Sequence, residues 1–304
     1  MNPDNSLVDK YSGTTFEPIF TLISREAKPR APQAGEVAFA TITALASFVT
    51  TFIYATDVNS LNNNFVALAL AGDDLALSRV FPIVFGVLGI QLLHDLAHVA
   101  SSLLNKVRIG IPILLPSLQI GLFGSVLRIT DIVKTRKQMF DVAIAGPLIG
   151  LIVSLSCVLL GLEFTAQASP AVLGTFPALP LGFFQTSFLL NELVTSTLHP
   201  VGAPTTLVSL HPLFVVGVAG IIANAYNMLP VGKLDGGRVT MAIAGRQAAG
   251  SISNIFLFGL AVGLITSSAS PITLFWSLYV TLFQRSPGKL QNRYLSANVK
   301  SSTF

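Results

Sequence analysis

Two histidines four residues apart, His94 and His98, lie with an aspartate, Asp95, in the apolar run FPIVFGVLGIQLLHDLAHVASSLL at 81–104. At about 3.6 residues per turn, both imidazoles fall on one face of a helix. Two imidazoles so placed can share one metal ion, and the carboxylate between them in sequence can work beside it as a base. Ionisable groups in a membrane-length apolar segment are costly, so they are functional-site candidates by default. A buried histidine is nevertheless more often a hydrogen-bonded core residue than a ligand. The pair needs a partner elsewhere in the chain.

That partner is the stretch Asn227-Met228-Leu229-Pro230-Val231-Gly232-Lys233-Leu234-Asp235-Gly236-Gly237-Arg238. Pro230 ends regular helix, and the glycines after Asp235 permit backbone conformations that other residues resist. The segment 231–235 can therefore fold back toward the histidines. Two imidazoles, one carboxylate and an open position for water make a catalytic zinc set. Taken alone, the same letters also read as a turn after a helix. Lys233 and Arg238 read as markers of the membrane surface. His199 and His211, each followed by proline, read as capping or loop residues.

The elements that must position these groups are membrane helices. Of 304 residues, 52% are hydrophobic and only 11% charged, against about a quarter charged in a soluble domain. The mean hydropathy is +0.70. Six spans are expected: Val37–Ala55, Phe81–Leu104, Met139–Phe164, His211–Leu229, Ser253–Ile265 and Ile272–Phe283, the last two turning at SSASP. Residues 56–78 read as a polar loop, and Phe183–Val194 as a piece lying along the interface. Prolines and glycines break up 105–138, where strands at Ile109–Leu115 and Ser125–Ile129 suggest a hairpin at the membrane edge. With the N-terminus on the positive side, 17 of the 18 lysines and arginines share that side. The exception is Arg79. The two motifs then reach the same depth.

The net charge of +4 and the pI near 9.3 follow from those inside loops, so nucleic acid is set aside as a partner. A single cysteine, Cys157, excludes an internal disulfide and a zinc site with two thiolates. The first 36 residues mix acids and bases and fit neither a secretory signal nor a transit peptide. Targeting is expected to use the first membrane helix or residues upstream. The organisation expected is a polar segment 1–36, a membrane-embedded domain 37–285 and a tail 286–304.

With these motifs the chain resembles the site-2 protease family of intramembrane zinc metalloproteases. That family's signatures, His-Glu-x-x-His and Asn-x-x-Pro-x-x-x-Leu-Asp-Gly, stand here as His94–His98 and Asn227–Gly236. The intervening PSLQIGLFGSVLRI and FDVAIAGPLIG are similar to the cyanobacterial and plastid branch, which includes the ethylene-dependent gravitropism-deficient and yellow-green proteins. The likeness runs from about Phe81 to Arg285, and it implies further membrane sequence beyond the point where this chain ends. It implies an all-α polytopic fold with an inserted hairpin, zinc held by His94, His98 and Asp235, and residue 95 as the general base. It also implies that Asn227 and the Pro230 segment position the substrate, a transmembrane protein within the bilayer, and that hairpin 107–130 holds it as an added strand. A plastid or cyanobacterial membrane is the implied compartment. The departure is Asp95, one methylene shorter than the glutamate of the signature. It admits a second reading, a catalytically weak or inactive homologue acting as a membrane chaperone or scaffold. A transporter carrying metal or protons would need ionisable groups through the whole membrane depth, whereas here they cluster at one face.

Overall fold

The computed structural model describes residues 32–131, 133–266 and 271–283. The elements run α1 (Ala34–Ser60), α2 (Asn63–Leu70), α3 (Leu75–Leu104), β1 (Ile113–Ser117), β2 (Gly121–Val126), α4 (Arg136–Ala166) and α5 (Pro170–Leu173). There follow β3 (Ala178–Pro180), α6 (Leu181–Phe184), α7 (Phe188–Leu198), β4 (Leu207–Ser209), α8 (Pro212–Asn227), α9 (Asp235–Thr266) and α10 (Pro271–Phe283). The described residues are mostly helical with two small sheets.

Among the described residues three helices, α1, α3 and α4, are long and apolar enough to cross a membrane, and α8 is a shorter apolar helix of 16 residues. Their outward faces carry exposed leucines, among them Leu45, Leu92, Leu96, Leu151 and Leu155. An apolar exterior of that kind is what lipid solvates. Inside, α3, α4 and α8 pack on one another. Ile83, Val84, Val87 and Ile90 of α3 meet Val215, Val216 and Ala219 of α8, with Leu122 of β2 closing the cluster. Gly217 of α8 lies so close to α4 that a Cβ would stand 2.5 Å from the Ser154 carbonyl. Small residues at such crossings let membrane helices approach closely.

The hairpin is real, but its strands are displaced from the expected ones. Regular pairing covers β1 with β2, antiparallel, and shifts register between Leu114 and Pro116. Ile109 and Ile129 form only an isolated bridge. Pro112 and Pro116 have no N–H to give to a ladder, so pairing is interrupted near the first and irregular at the second. The paired region is thereby pushed toward the turn. α1 packs against the hairpin, and Thr50 Oγ1 donates to the Gly121 carbonyl at 2.7 Å.

Other boundaries moved as well. The first helix runs from Ala34 to Ser60, and the expected loop 56–78 holds α2, capped by Asn62. Phe183–Val194 is divided between α6 and α7 by a break at 185–187, and both pieces are anchored, with Phe184 and Val194 fully buried. The sheet β3–β4, three residues per strand, was not expected. α9 bends at Gly245, where φ is 80° and ψ is 171°. The expected turn SSASP, the segments 1–31 and the tail lie outside the described residues.

Candidate metal centre

α3 carries His94, Asp95 and His98, all buried. α4 crosses it at Gly146, where a Cβ would stand 2.7 Å from His94 Nε2. Any larger residue at 146 would fill the space into which both imidazoles point. Pro230 halts the chain after α8, and Val231 N–H turns back to the Leu229 carbonyl at 2.7 Å. The segment then folds so that Asp235 opens α9 beside the histidines.

Three donor atoms converge. Nε2 of His94 and Nε2 of His98 are 3.1 Å apart. Asp235 Oδ2 lies 3.2 Å from the second and 3.5 Å from the first. Ligands at 2.0–2.1 Å from a tetrahedral zinc stand about 3.3 Å from one another, so the spacing matches such an ion. The far side of each ring decides its tautomer. His98 Nδ1 lies 2.7 Å from the Val142 carbonyl, which can only accept. His94 Nδ1 lies 2.9 Å from Asn224 Oδ1, and the Asn224 amide nitrogen donates to Gly220 O at 2.8 Å. Both rings therefore carry their proton on Nδ1 and offer the Nε2 lone pair forward. Two lone pairs and a carboxylate facing one buried point repel one another unless a cation sits among them. The residues fit a divalent metal.

Asp95 stands beside this trio and is held from two sides. Its Oδ1 accepts from Ser125 Oγ of β2 at 2.5 Å and from Gln91 Nε2, one turn back on α3, at 2.9 Å. Asn227 Nδ2 donates to the Phe123 carbonyl of β2 at 3.2 Å. Pro230 is only half-buried and borders a cavity of about 730 Å³ that runs along α9 to α10.

Two residues were misjudged or missed from sequence. Arg238 is no surface marker. It is buried, with Nη1 3.6 Å from Asp235 Oδ1 and Nη2 donating to the Leu127 carbonyl. Asp235 is one turn back on the same helix, but Leu127 is 111 residues away, and that partner nothing local could reveal. Asn224 was missed, although an asparagine in an apolar 16-residue helix, one turn before Asn227, was a usable signal. Lys233 is exposed as expected. His199 adopts a left-handed conformation that ends α7, and His211 caps α8 by accepting from Leu213 N–H at 3.2 Å, so neither joins the trio.

The sequence profile of Peptidase family M50 matches residues 82–267, more than half of the chain. The probable zinc metalloprotease EGY1, chloroplastic, of Oryza sativa subsp. japonica is 36% identical over 211 residues, 68% of this chain and 35% of that protein. Its Arabidopsis thaliana namesake is 34% identical over 238 residues, 78% of this chain and 41% of that one. The probable zinc metalloprotease EGY2, chloroplastic, of Oryza sativa subsp. indica is 33% identical over 257 residues, 81% and 44% respectively. The chain thus spans less than half the length of these relatives. The profile runs from Pro82 within α3 through α9, the elements that carry His94, His98 and Asp235, and on that match this chain belongs to peptidase family M50, the site-2 protease family.

Proposed function

We propose that this chain is an intramembrane zinc metalloprotease that cuts transmembrane segments of other proteins, with His94, His98 and Asp235 as zinc ligands and Asp95 as general base. The observation that carries the reading is the convergence of two Nε2 lone pairs and one carboxylate oxygen at a buried point. The names of the relatives, zinc metalloproteases and chloroplastic, support zinc as the ion and a plastid membrane as the compartment. In the six-span topology α1, α3 and α4 are joined by α8, the second half of α9 and α10, with both ends on the positive side. The hairpin and the metal then lie near the same membrane face.

Zinc bound there would supply a water acidified to a pKa of about 7 and a Lewis acid for the scissile carbonyl. The residues of the chain do the rest. Both hydrogen bonds to Asp95 end on Oδ1, which leaves Oδ2 to take a proton and later deliver it to the departing amine. Ser125 and Gln91 keep that carboxylate from swinging away. Asn227 reaches the Phe123 carbonyl of β2, the strand on which an extended substrate would lie, and Arg238 reaches the Leu127 carbonyl just past its end. Cleavage needs such an extended segment because a helical peptide hides its carbonyls.

The test is zinc per chain and cleavage of single-span membrane proteins by the purified chain in detergent, for wild type, His94→Ala, Asp235→Ala, Asp95→Asn and Asp95→Glu. About one zinc in wild type, lost in the first two variants, would tie the distant motifs into one site. Asp95→Asn should keep zinc and lose cleavage. A wild type that binds zinc but cuts nothing, with cleavage gained only in Asp95→Glu, would replace the protease by the scaffold. No zinc in wild type would end both the site and the reaction.

A further inference from the structure

A second polar site lies at the end of α3 remote from the histidines. A cavity of about 370 Å³ opens there between the end of α1, the start of α3, the segment before β3 and the start of α8. Asn59 lines it and is completely buried. Its amide nitrogen donates to the Ala55 carbonyl at 2.7 Å, but its Oδ1 is buried with no hydrogen-bond partner among the described residues. Arg79 lines the same cavity, and its Nη1 is likewise buried and unpartnered. Pro82, one turn on, has no N–H to give to the carbonyl of Ser78, so an acceptor loses its helical donor in the same wall. Buried polar groups are rarely left without partners, and the exceptions call for an explanation.

The explanation has to be a ligand with two faces. A guanidinium N–H calls for an anion, whereas an amide oxygen and a free carbonyl call for hydroxyl donors. His211, another lining residue, accepts at Nδ1 from Leu213, which puts its ring proton on Nε2 and adds a donor. A more open cavity of about 360 Å³ shares Arg79 and Thr175 and extends past Leu68 of α2. Leu70, Leu75 and Leu77, at the end of α2 and the start of α3, are exposed. Arg79 is also the one basic residue that the six-span topology leaves on this side, so orientation does not account for it. Basic pockets between membrane helices suit anionic head groups.

We propose that this cavity binds the phosphoglycerol head group of an anionic membrane lipid, its phosphate on Arg79 and its glycerol hydroxyls donating to Asn59 Oδ1 and the Ser78 carbonyl. The site shares no residue with the metal centre and stands or falls independently of it. The experiment is thermal unfolding of the delipidated full chain in an uncharged detergent, titrated with phosphatidylglycerol, phosphatidylcholine or glycerol 3-phosphate. Wild type should be stabilised saturably by phosphatidylglycerol alone. Asn59→Leu and Arg79→Met should each weaken that midpoint about tenfold or more, the worth of one charge-assisted or buried hydrogen bond. Arg79→Met, which removes a buried nitrogen that has no partner among the described residues, should not lower the melting temperature of the lipid-free protein, and zinc content should not change in either variant. If Asn59→Leu fails to fold, Arg79→Met decides the question at the rim. Equal responses to the two lipids, or a phosphatidylglycerol response kept in the folded variants, would overturn the proposal. Full stabilisation by glycerol 3-phosphate would overturn the lipid as its source.

Discussion

Gly146→Ala adds one methyl group to α4 at the place where both imidazoles face it. The new carbon would stand 2.7 Å from His94 Nε2, and closer still to His98 Nε2, whereas ordinary contact begins near 3.4 Å. The His94 ring must therefore retreat by about 0.7 Å, and the His98 ring by more. Neither can do so freely, because Asn224 and the Val142 carbonyl hold them from behind. Metal sites tolerate ligand displacements of about 0.2 Å, and a 1 Å misplacement at a reacting centre costs on the order of a hundredfold in rate. We expect zinc affinity to fall at least tenfold, the scale seen when a metal's supporting hydrogen bonds are lost, and cleavage about a hundredfold. The helix itself should not suffer, since alanine is the better helix former. The assay is competition for zinc against a chromophoric chelator in detergent, alongside cleavage. Gly89→Ala serves as control, because among the described residues nothing lies within 4 Å of where its methyl would go. Wild-type zinc affinity in Gly146→Ala would mean that the three donors do not meet against α4, and the geometric argument would fail.

Three further outcomes follow from the groups that support the trio. Asn224→Leu removes the acceptor for the His94 Nδ1–H and should weaken zinc binding by about ten- to a hundredfold, whereas His211→Gln, at a helix cap, should leave it unchanged. Arg238→Met removes the cation beside Asp235 and the donor to Leu127, so zinc affinity should fall on the order of tenfold, with Arg238→Lys recovering part; unchanged affinity would make Arg238 a purely structural tie. A chelator that strips zinc should lower the unfolding temperature and added zinc should restore it, because an ion at a hundred times its dissociation constant contributes about 2.7 kcal/mol. A melting temperature indifferent to the chelator would deny that the ion binds the folded site.

The trio could be anticipated because its signals are local. His94 and His98 share a face by helical period alone, and Pro230 followed by glycines frees Asp235 to turn. The charge asymmetry of the loops argued for placing the two stretches at one depth, and the fold brings their side chains together. The hairpin's existence followed from its broken composition, but its register did not, because the prolines act through hydrogen bonds they fail to make with a strand not yet located. The sheet β3–β4 has three residues a side, too few to show any period. Arg238 is the instructive error. A cation in a loop that ends a membrane helix is ordinarily held by water and lipid phosphate, and the same residue letter serves either environment. What separates the two is a carbonyl 111 residues away and a carboxylate one turn back. Burying a guanidinium is unfavourable unless both are in place, so its burial is a consequence of the completed site. Residues of this kind become readable only after the topology has been assembled, and the same holds for Asn59 and Arg79 on the other side of the molecule. Each is an ordinary polar residue near a helix end until the fold closes around it and leaves part of its bonding capacity unused.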